Sequence, residues 1–253
     1  MLFRSHKSLR ALRELVSGRF IEMPAETILV TGANRGIGLE LVRQYLLRGS
    51  DVIAACRIPS SAVALEALKP AHQNLSIYRL EVSDEASVAA LAKALDGRSL
   101  DILINNAGIK GGDEQNLHGM NYAAWAETLA VNTIAPFRVT TALLRNLKLS
   151  KRPRVITLSS QMGALQRESS GWYAYRSSKA AVNKVMQGLA CDLRQFGIIV
   201  CPVHPGWVRT DMGGSSADIS VEESASGLIA LLDRLTLKDS GRFYQWNGTV
   251  HPW

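Results

Sequence analysis

From Glu26 onward, short β-branched apolar runs alternate with stretches whose apolar residues recur at helical spacing. Strands are expected at Thr27–Thr31, Asp51–Ala55, Leu75–Leu80, Asp101–Asn105, Arg154–Ser159, Ile198–Val203 and Arg242–Gln245. Helices are expected from the first glycine turn to about Arg48, after Ser83 (read as the cap), around Trp125–Leu147, over Tyr175–Phe196 and over Val221–Leu235. A chain that returns through a helix after each strand builds a parallel sheet covered on both faces. The expected fold is therefore α/β, one doubly wound parallel sheet of about seven strands. That count argues against an eight-stranded barrel. No repeat or linker interrupts the pattern, so residues 25–253 read as one domain that holds both a cofactor site and a substrate site.

Of 253 residues, 47% are apolar and 20% charged, enough to bury a full core and too apolar for a disordered chain. No run approaches the ~20 apolar residues of a membrane span. Cys56, Cys191 and Cys201 are scattered and odd in number, which shows neither a disulfide framework nor metal-ligand spacing and suits the cytoplasm. The net charge of +7 raises the question of nucleic acid. Residues 1–22 carry five basic side chains against Glu14 and Glu22, a net of +3, and the remaining +4 forms no basic stripe with interleaved aromatics. A nucleic-acid partner is not expected. Residues 1–24 stand apart as a basic extension with Leu9, Leu12, Leu15 and Val16 at helical spacing. They read as a packed amphipathic helix, as an organellar targeting segment, or as an extension upstream of a natural start at Met23. The short distance from Met23 to the first strand favours the last.

The first strand runs into Thr31-Gly32-Ala33-Asn34-Arg35-Gly36-Ile37-Gly38, which opens the first helix. Glycines at these places permit a tight turn, close backbone approach to a pyrophosphate and close packing of helix on strand. The helix N-terminus then offers unpaired N–H groups to the phosphates. This strand–turn–helix context marks a Rossmann-type dinucleotide site. An acid at the end of the second strand would bind the adenine ribose hydroxyls. Here the chain reads Ala55-Cys56-Arg57. Arg57 can instead meet a 2′-phosphate with its planar fork, and Arg35 can clamp the same group. The expected cofactor is NADP(H).

Tyr175 and Lys179 lie four apart in a helical stretch, on one face. A free phenol titrates near pH 10, too high for a proton donor at neutral pH, and a neighbouring ammonium lowers it. Tyr173 has Ser177 at the same spacing, which supplies no charge. Ser159 and Ser160 follow the fifth strand, where a hydroxyl can donate to a substrate carbonyl oxygen as negative charge develops. The bland reading of such a pair is a turn cap. A hydrolytic triad of Ser160, His204 and Asp211 is rejected, because Ser160 lacks a G-x-S-x-G elbow and the Tyr/Lys pair would go unexplained.

The T-G-x-x-x-G-x-G spacing, Asn105-Asn106-Ala107-Gly108 after the fourth strand, Ser160, Tyr175-x-x-x-Lys179 and Pro205-Gly206-Trp207-Val208-Arg209-Thr210 resemble the short-chain dehydrogenase/reductase family over about residues 26–253. Cys56-Arg57, Tyr-Ala-Tyr-Arg-Ser-Ser-Lys and the Trp-Asn-Gly-Thr ending are similar to the C-factor-like and sniffer-like carbonyl reductases. The resemblance implies NADP(H)-dependent hydride transfer between the nicotinamide and a carbonyl or alcohol. Tyr175 would be the acid/base. Lys179 would tune it and hold the nicotinamide ribose, while Ser160, preferred to Ser159 by the family pattern, would polarise the carbonyl. Asn132 would hold a water relay. Gly32, Asn34, Arg35, Gly36, Ile37, Gly38 and Arg57 would bind the phosphates. Glu81 and Val82 would stand beside the adenine, with Glu81 where the family usually has Asp. Asn105 would brace the sheet, and Asn106, Ala107 and Gly108 would line the ribose. Pro205, Gly206, Val208 and Thr210 would clamp the carboxamide. A homodimer or homotetramer is implied, through the helices of Asn132 and Tyr175. Met162, Leu165, Trp172 and Trp207 suggest a substrate with apolar or aromatic bulk. The rival reading is a nucleotide-binding signalling protein of C-factor type.

Overall fold

The computed structural model describes residues 25–253, so the expected extension at 1–24 lies outside the described residues. Seven parallel strands form one sheet: β1 (Thr27–Thr31), β2 (Asp51–Cys56), β3 (Leu75–Arg79), β4 (Ile102–Asn105), β5 (Arg154–Leu158), β6 (Ile199–His204) and β7 (Tyr244–Gln245). Their order in space is β3-β2-β1-β4-β5-β6-β7. The winding reverses between β1 and β4, and a crevice opens there beyond the strands' carboxyl ends.

Strand residues alternate between two cores, as the period of two requires. Ile28, Val30, Val52, Ala54, Ile102 and Ile104 face one side, with helices α1 (Gly36–Leu47) and α7 (Val221–Arg234) packed on them. Leu29, Ile53, Ala55, Leu103, Val155 and Val200 face the other, under α2 (Glu85–Ala94), α4 (Ala135–Ala142) and α6 (Tyr173–Leu193). Both faces are covered, which explains why the strands read as continuous apolar runs.

Two expectations are corrected. Asp84, not Ser83, caps α2: its carboxylate accepts from the Ala86 N–H at 3.0 Å, while the Ser83 hydroxyl donates to Glu81 at 2.8 Å. The long helix around Trp125–Leu147 is also broken. It runs as α3 (Tyr122–Leu129), a π-helical turn at Ala130–Ile134, α4, and α5 (Leu144–Leu149). Pro136 removes a backbone donor just after the π turn, and an extra residue per turn re-aims side chains at functional places. Asn132 sits in that turn. Among the described residues no helix is long and apolar enough to cross a membrane.

Candidate active site

The glycine turn, Arg57, Glu81–Val82, Asn106–Gly108, Ser160 and the segment from Pro205 each follow a strand's carboxyl end, while Asn132, Tyr175 and Lys179 come from helical segments further along. The turn after β1 is shaped by backbone contact. Gly32 and Gly36 have φ of 63° and 54°, where a side chain is strained. A Cβ on Gly38 would stand 2.5 Å from both Asn106 Nδ2 and the Gly32 carbonyl oxygen. The Asn106 amide donates to the Thr31 carbonyl at 2.7 Å and to the Gly32 carbonyl at 3.0 Å, binding the turn to the end of β4. The Asn106 side chain thus braces the turn, and so does the Thr31 hydroxyl, which accepts from the Asn106 and Ala107 N–H groups. Asn105 braces the sheet by donating to the Thr140 and Thr157 hydroxyls.

These residues fit a dinucleotide. The N-cap of α1, Arg35, has no side-chain cap, and no acid occupies the first turn, so the helix dipole and its unpaired N–H groups are left for an anion. Asn34 and Arg35 are exposed there, and Ile37 packs against the core. Arg57 is exposed at the end of β2 and has no hydrogen bond or ion pair among the described residues. Val82 lines a small cavity with Thr31 and Ala107, beside Glu81. The Glu81 carboxylate accepts from the Ser83 N–H and hydroxyl. Arg35 differs from expectation: its guanidinium donates to Asp211, 2.7 Å away on the segment after β6. That segment leans over the turn, since a Cβ on Gly36 would meet Thr210 at 3.4 Å. Pro205 accepts from the Ser224 hydroxyl, Gly206 has φ of 91°, and Val208 is buried.

On the other side, Ser160, Tyr175 and Lys179 converge. Ser160 caps the turn at Gln161–Gly163, accepting from the Met162 N–H at 3.1 Å. Its hydroxyl also acts on the Tyr175 phenol, which it draws downward. The cap reading of this serine therefore holds. Ser159 points elsewhere, donating to Asn183 at 2.6 Å. Lys179 is buried; its Nζ stands 5.7 Å from the Tyr175 ring centre and donates to the Leu158 carbonyl at 2.8 Å. Burial lowers its pKa to about 8. Burial raises the Tyr175 phenol above its ordinary value, and the Ser160 hydroxyl draws it partly back. Asn132 is buried. Its Oδ1 accepts from the Ile109 N–H at 2.9 Å, and its amide donates to the Ile109 carbonyl and the Ser178 hydroxyl. It tethers the loop after Gly108 to α6. A Cβ on Gly108 would lie 3.2 Å from Asn132 and 3.7 Å from Lys179 Nζ, so the backbone after β4 abuts α6.

The family model described as short chain dehydrogenase matches residues 26–219. The chain belongs to this family. It is an oxidoreductase with a Rossmann-type fold. Among its relatives, the C-signal of Myxococcus xanthus is 41% identical over 160 residues, covering 61% of this chain and 93% of that one. The NADPH-bound carbonyl reductase from chicken fatty liver superposes with a TM-score of 0.85 at 38% identity, covering 90% of this chain and 99% of that one. The carbonyl reductase Sniffer of D. melanogaster gives 0.86 at 32%, covering 90% and 100%.

The sequence did not mark Gln115, whose buried amide joins the start of α6 to the loop after Asn106. No local motif surrounds it. Asp211 was weighed only as a member of the rejected hydrolytic triad, and its pairing with Arg35 spans 176 residues.

Proposed function

We propose that this oxidoreductase transfers hydride between NADP(H) and a carbonyl or alcohol substrate, with Tyr175 as the general acid/base. The observation that carries the reading is the convergence of Ser160, Tyr175 and Lys179 beside the backbone of Gly108, within reach of a glycine turn fit for a dinucleotide. When bound, the nicotinamide supplies or accepts the hydride. The Ser160 hydroxyl orients the carbonyl oxygen and hydrogen-bonds the phenol. Tyr175 gives that oxygen its proton in reduction and takes it back in oxidation. Lys179, an ammonium below about pH 8, supplies positive charge beside the ring and a donor for the nicotinamide ribose. Asn132 holds the loop and supports a water path to Lys179.

Arg57 and Arg35 would meet the 2′-phosphate, and the NADPH bound to the chicken enzyme supports that choice of cofactor. Exposed Leu165, Trp172, Trp207 and Met212 favour apolar or aromatic carbonyls. Exposed Tyr122, Ile134, Phe137 and Tyr173, on the helices that hold Asn132 and Tyr175, favour a homodimer or homotetramer. The free, scattered cysteines favour the cytoplasm.

The likeness to C-signal supports a second reading, a signalling role on the same scaffold. A nucleotide-binding signal has no need of Tyr175 and Lys179 together. Turnover of aldehydes, ketones and quinones with NADPH and NADH tests both. NADPH-dependent reduction is expected, and Arg57→Ala should cost roughly 10–150-fold in NADPH affinity, as for a lost charge-assisted contact. No turnover across the panel would return the protein to the signalling reading.

A further inference from the structure

We propose that Gln115 is a positioning residue for Tyr175, capping the amino end of α6 from sixty residues away and locking it to the loop that follows Asn106. The proposal rests on Tyr175 as the acid/base.

Helix α6 begins unusually. Its N-cap, Trp172, lies in the left-handed region (φ 55°), the one non-glycine residue at positive φ among the described residues, and its side chain caps nothing. The first intrahelical bond runs from the Arg176 N–H to the Trp172 carbonyl at 2.8 Å. The Tyr175 N–H therefore has no partner within the helix. In α2, α3 and α7 that duty falls to a local side chain, Asp84, Asn121 or Ser220. In α6 it falls to Gln115, whose Oε1 accepts from the Tyr175 N–H at 2.9 Å.

Gln115 is 4% exposed. It stands on a two-residue strand, Gln115–Asn116, paired with Gly119–Met120. Its Nε2 donates to the Lys110 carbonyl at 2.9 Å and to the Gly112 carbonyl at 2.6 Å. A Cβ on Gly111 would stand 3.1 Å from that nitrogen, so the loop is wrapped closely on the amide. Both donors and an acceptor are used. Asn132 treats the same loop in the same way one step earlier, holding Ile109 and reaching Ser178. Two buried amides thus tie one loop to one helix, at Tyr175 and, a turn later, at Ser178. The rung at Gln115 ends on the backbone of the reacting residue. It fixes how far the Tyr175 phenol stands from Ser160 on one side and from the wall at residues 108–112 on the other.

The test is the pH dependence of NADPH-driven reduction of an aromatic aldehyde by full-length protein. In the wild type the rate falls at high pH in two steps. The first comes as Lys179 loses its proton near pH 8, and the second, above the ordinary phenol value, as Tyr175 does. The second step is the limb read here. Gln115→Met keeps the side chain's length and removes all three bonds. It should lower kcat roughly 10–100-fold, as a displacement of about 1 Å does. It should leave the KM for NADPH within about twofold, and it should move the high-pH limb upward, because the phenol shifts away from the Ser160 hydroxyl that draws it down. Asn121→Ala removes the cap of α3 instead and should cost stability while leaving the limb in place. Two results overturn the proposal alone: an unmoved limb in Gln115→Met, or a kcat loss no larger than that of Asn121→Ala. A limb that survives in Tyr175→Phe overturns the assignment of Tyr175 itself, and the proposal with it. If Gln115→Met does not fold, Gln115→Glu decides. It keeps the acceptor for Tyr175 and loses the donors to Lys110 and Gly112. A raised KM for the aldehyde with kcat within about tenfold of wild type supports the proposal, and an unchanged KM overturns it.

Discussion

Around β1 to β4 the carboxyl edge is shaped by backbone packed too closely for side chains, with the Thr31 and Asn106 side chains bracing it. Around β5, α6 and β6 it is held by side chains reaching across the fold. In the first region the fit is steric: Gly38 touches Asn106 and Gly32 at distances no Cβ allows, and the helix N-terminus is left open. In the second, Asn132, Lys179 and Gln115 each commit polar atoms to partners more than twenty residues away in sequence. The difference suits the two jobs. A dinucleotide needs a fixed cradle of N–H groups, which backbone supplies. Proton transfer needs a few side-chain atoms held to within a fraction of an ångström, and polar ties of defined geometry supply that.

The largest expected effect breaks the second region without touching the first. Tyr175→Phe removes one hydroxyl and keeps the ring. Turnover should fall by about 10²–10⁴-fold, the usual loss for a general acid/base, while NADPH affinity by fluorescence titration stays near wild type. Tyr173→Phe, exposed at the start of α6, is the matched control and should be nearly silent. Tyr175→Phe retaining most of its activity would remove the proton donor from the proposed reaction.

The converse experiment is Gly38→Ala. The methyl would lie 2.5 Å from a backbone oxygen and from the amide that braces the turn, so the turn must shift. The expected cost is about 1–3 kcal/mol of stability by thermal or urea unfolding. NADPH binding should weaken at least tenfold, because the N–H groups of the cradle move. Wild-type cofactor affinity in this variant would mean that close packing at Gly38 does not shape the site.

Legibility in the sequence followed the same division. All seven strands were placed to within two residues at either end, because buried parallel strands read as plain apolar runs between glycine turns. The glycine cradle was legible because its requirement is local: the residues that must be small sit next to the strand that needs them. Tyr175, Lys179 and Ser160 were legible only as spacing, and that spacing pointed to lysine as the group that lowers the phenol. Burial shifts both groups as well, and burial depends on how α6 packs on β5. The π turn at Asn132 was hidden because its residues keep an ordinary helical pattern. Asp84 was passed over for the neighbouring Ser83, since each is a good capping residue. Gln115 and the Arg35–Asp211 pair were invisible, because nothing local to either residue names a partner 60 or 176 positions away.

Lys179 sharpens the comparison, because the second region gives up stability for its chemistry. Burial brings its pKa to about 8 from the ordinary 10.5. Below pH 8 the folded and unfolded chains are both protonated there, and the full cost of burying an ammonium is present. Between pH 8 and 10.5 the folded state sheds its proton first, so stability rises with pH through that window. At about 1.4 kcal/mol per pH unit the cost is at most about 3 kcal/mol. Lys179→Met never carries the charge but leaves the Leu158 carbonyl without its donor, a loss of about 1 kcal/mol. The variant should therefore be inactive and yet about 1–2 kcal/mol more stable than wild type at pH 7, with the advantage shrinking toward pH 10.5. Equal stability across that range would show that the ammonium is well solvated in the fold.

The smallest effect lies where the two regions meet. Arg35 belongs to the backbone-held cradle and Asp211 to the segment after β6, and their contact is an exposed ion pair, 66% and 78% accessible. If Arg35 serves the 2′-phosphate, Asp211 competes with that phosphate for the same guanidinium. Asp211→Asn removes the competing charge and leaves a side chain of similar shape. Exposed pairs are worth about 0.2–1 kcal/mol, so NADPH affinity should rise by roughly 1.5–5-fold. NADH carries no 2′-phosphate and should bind as before. The gain should fade as salt rises, since screening weakens the pair and the phosphate contact alike. Arg35→Ala combined with Asp211→Asn should erase it. A fall in NADPH affinity in Asp211→Asn would reverse the picture: the pair would then be a strap that holds the segment over the bound dinucleotide, and Arg35 would serve Asp211 rather than the phosphate.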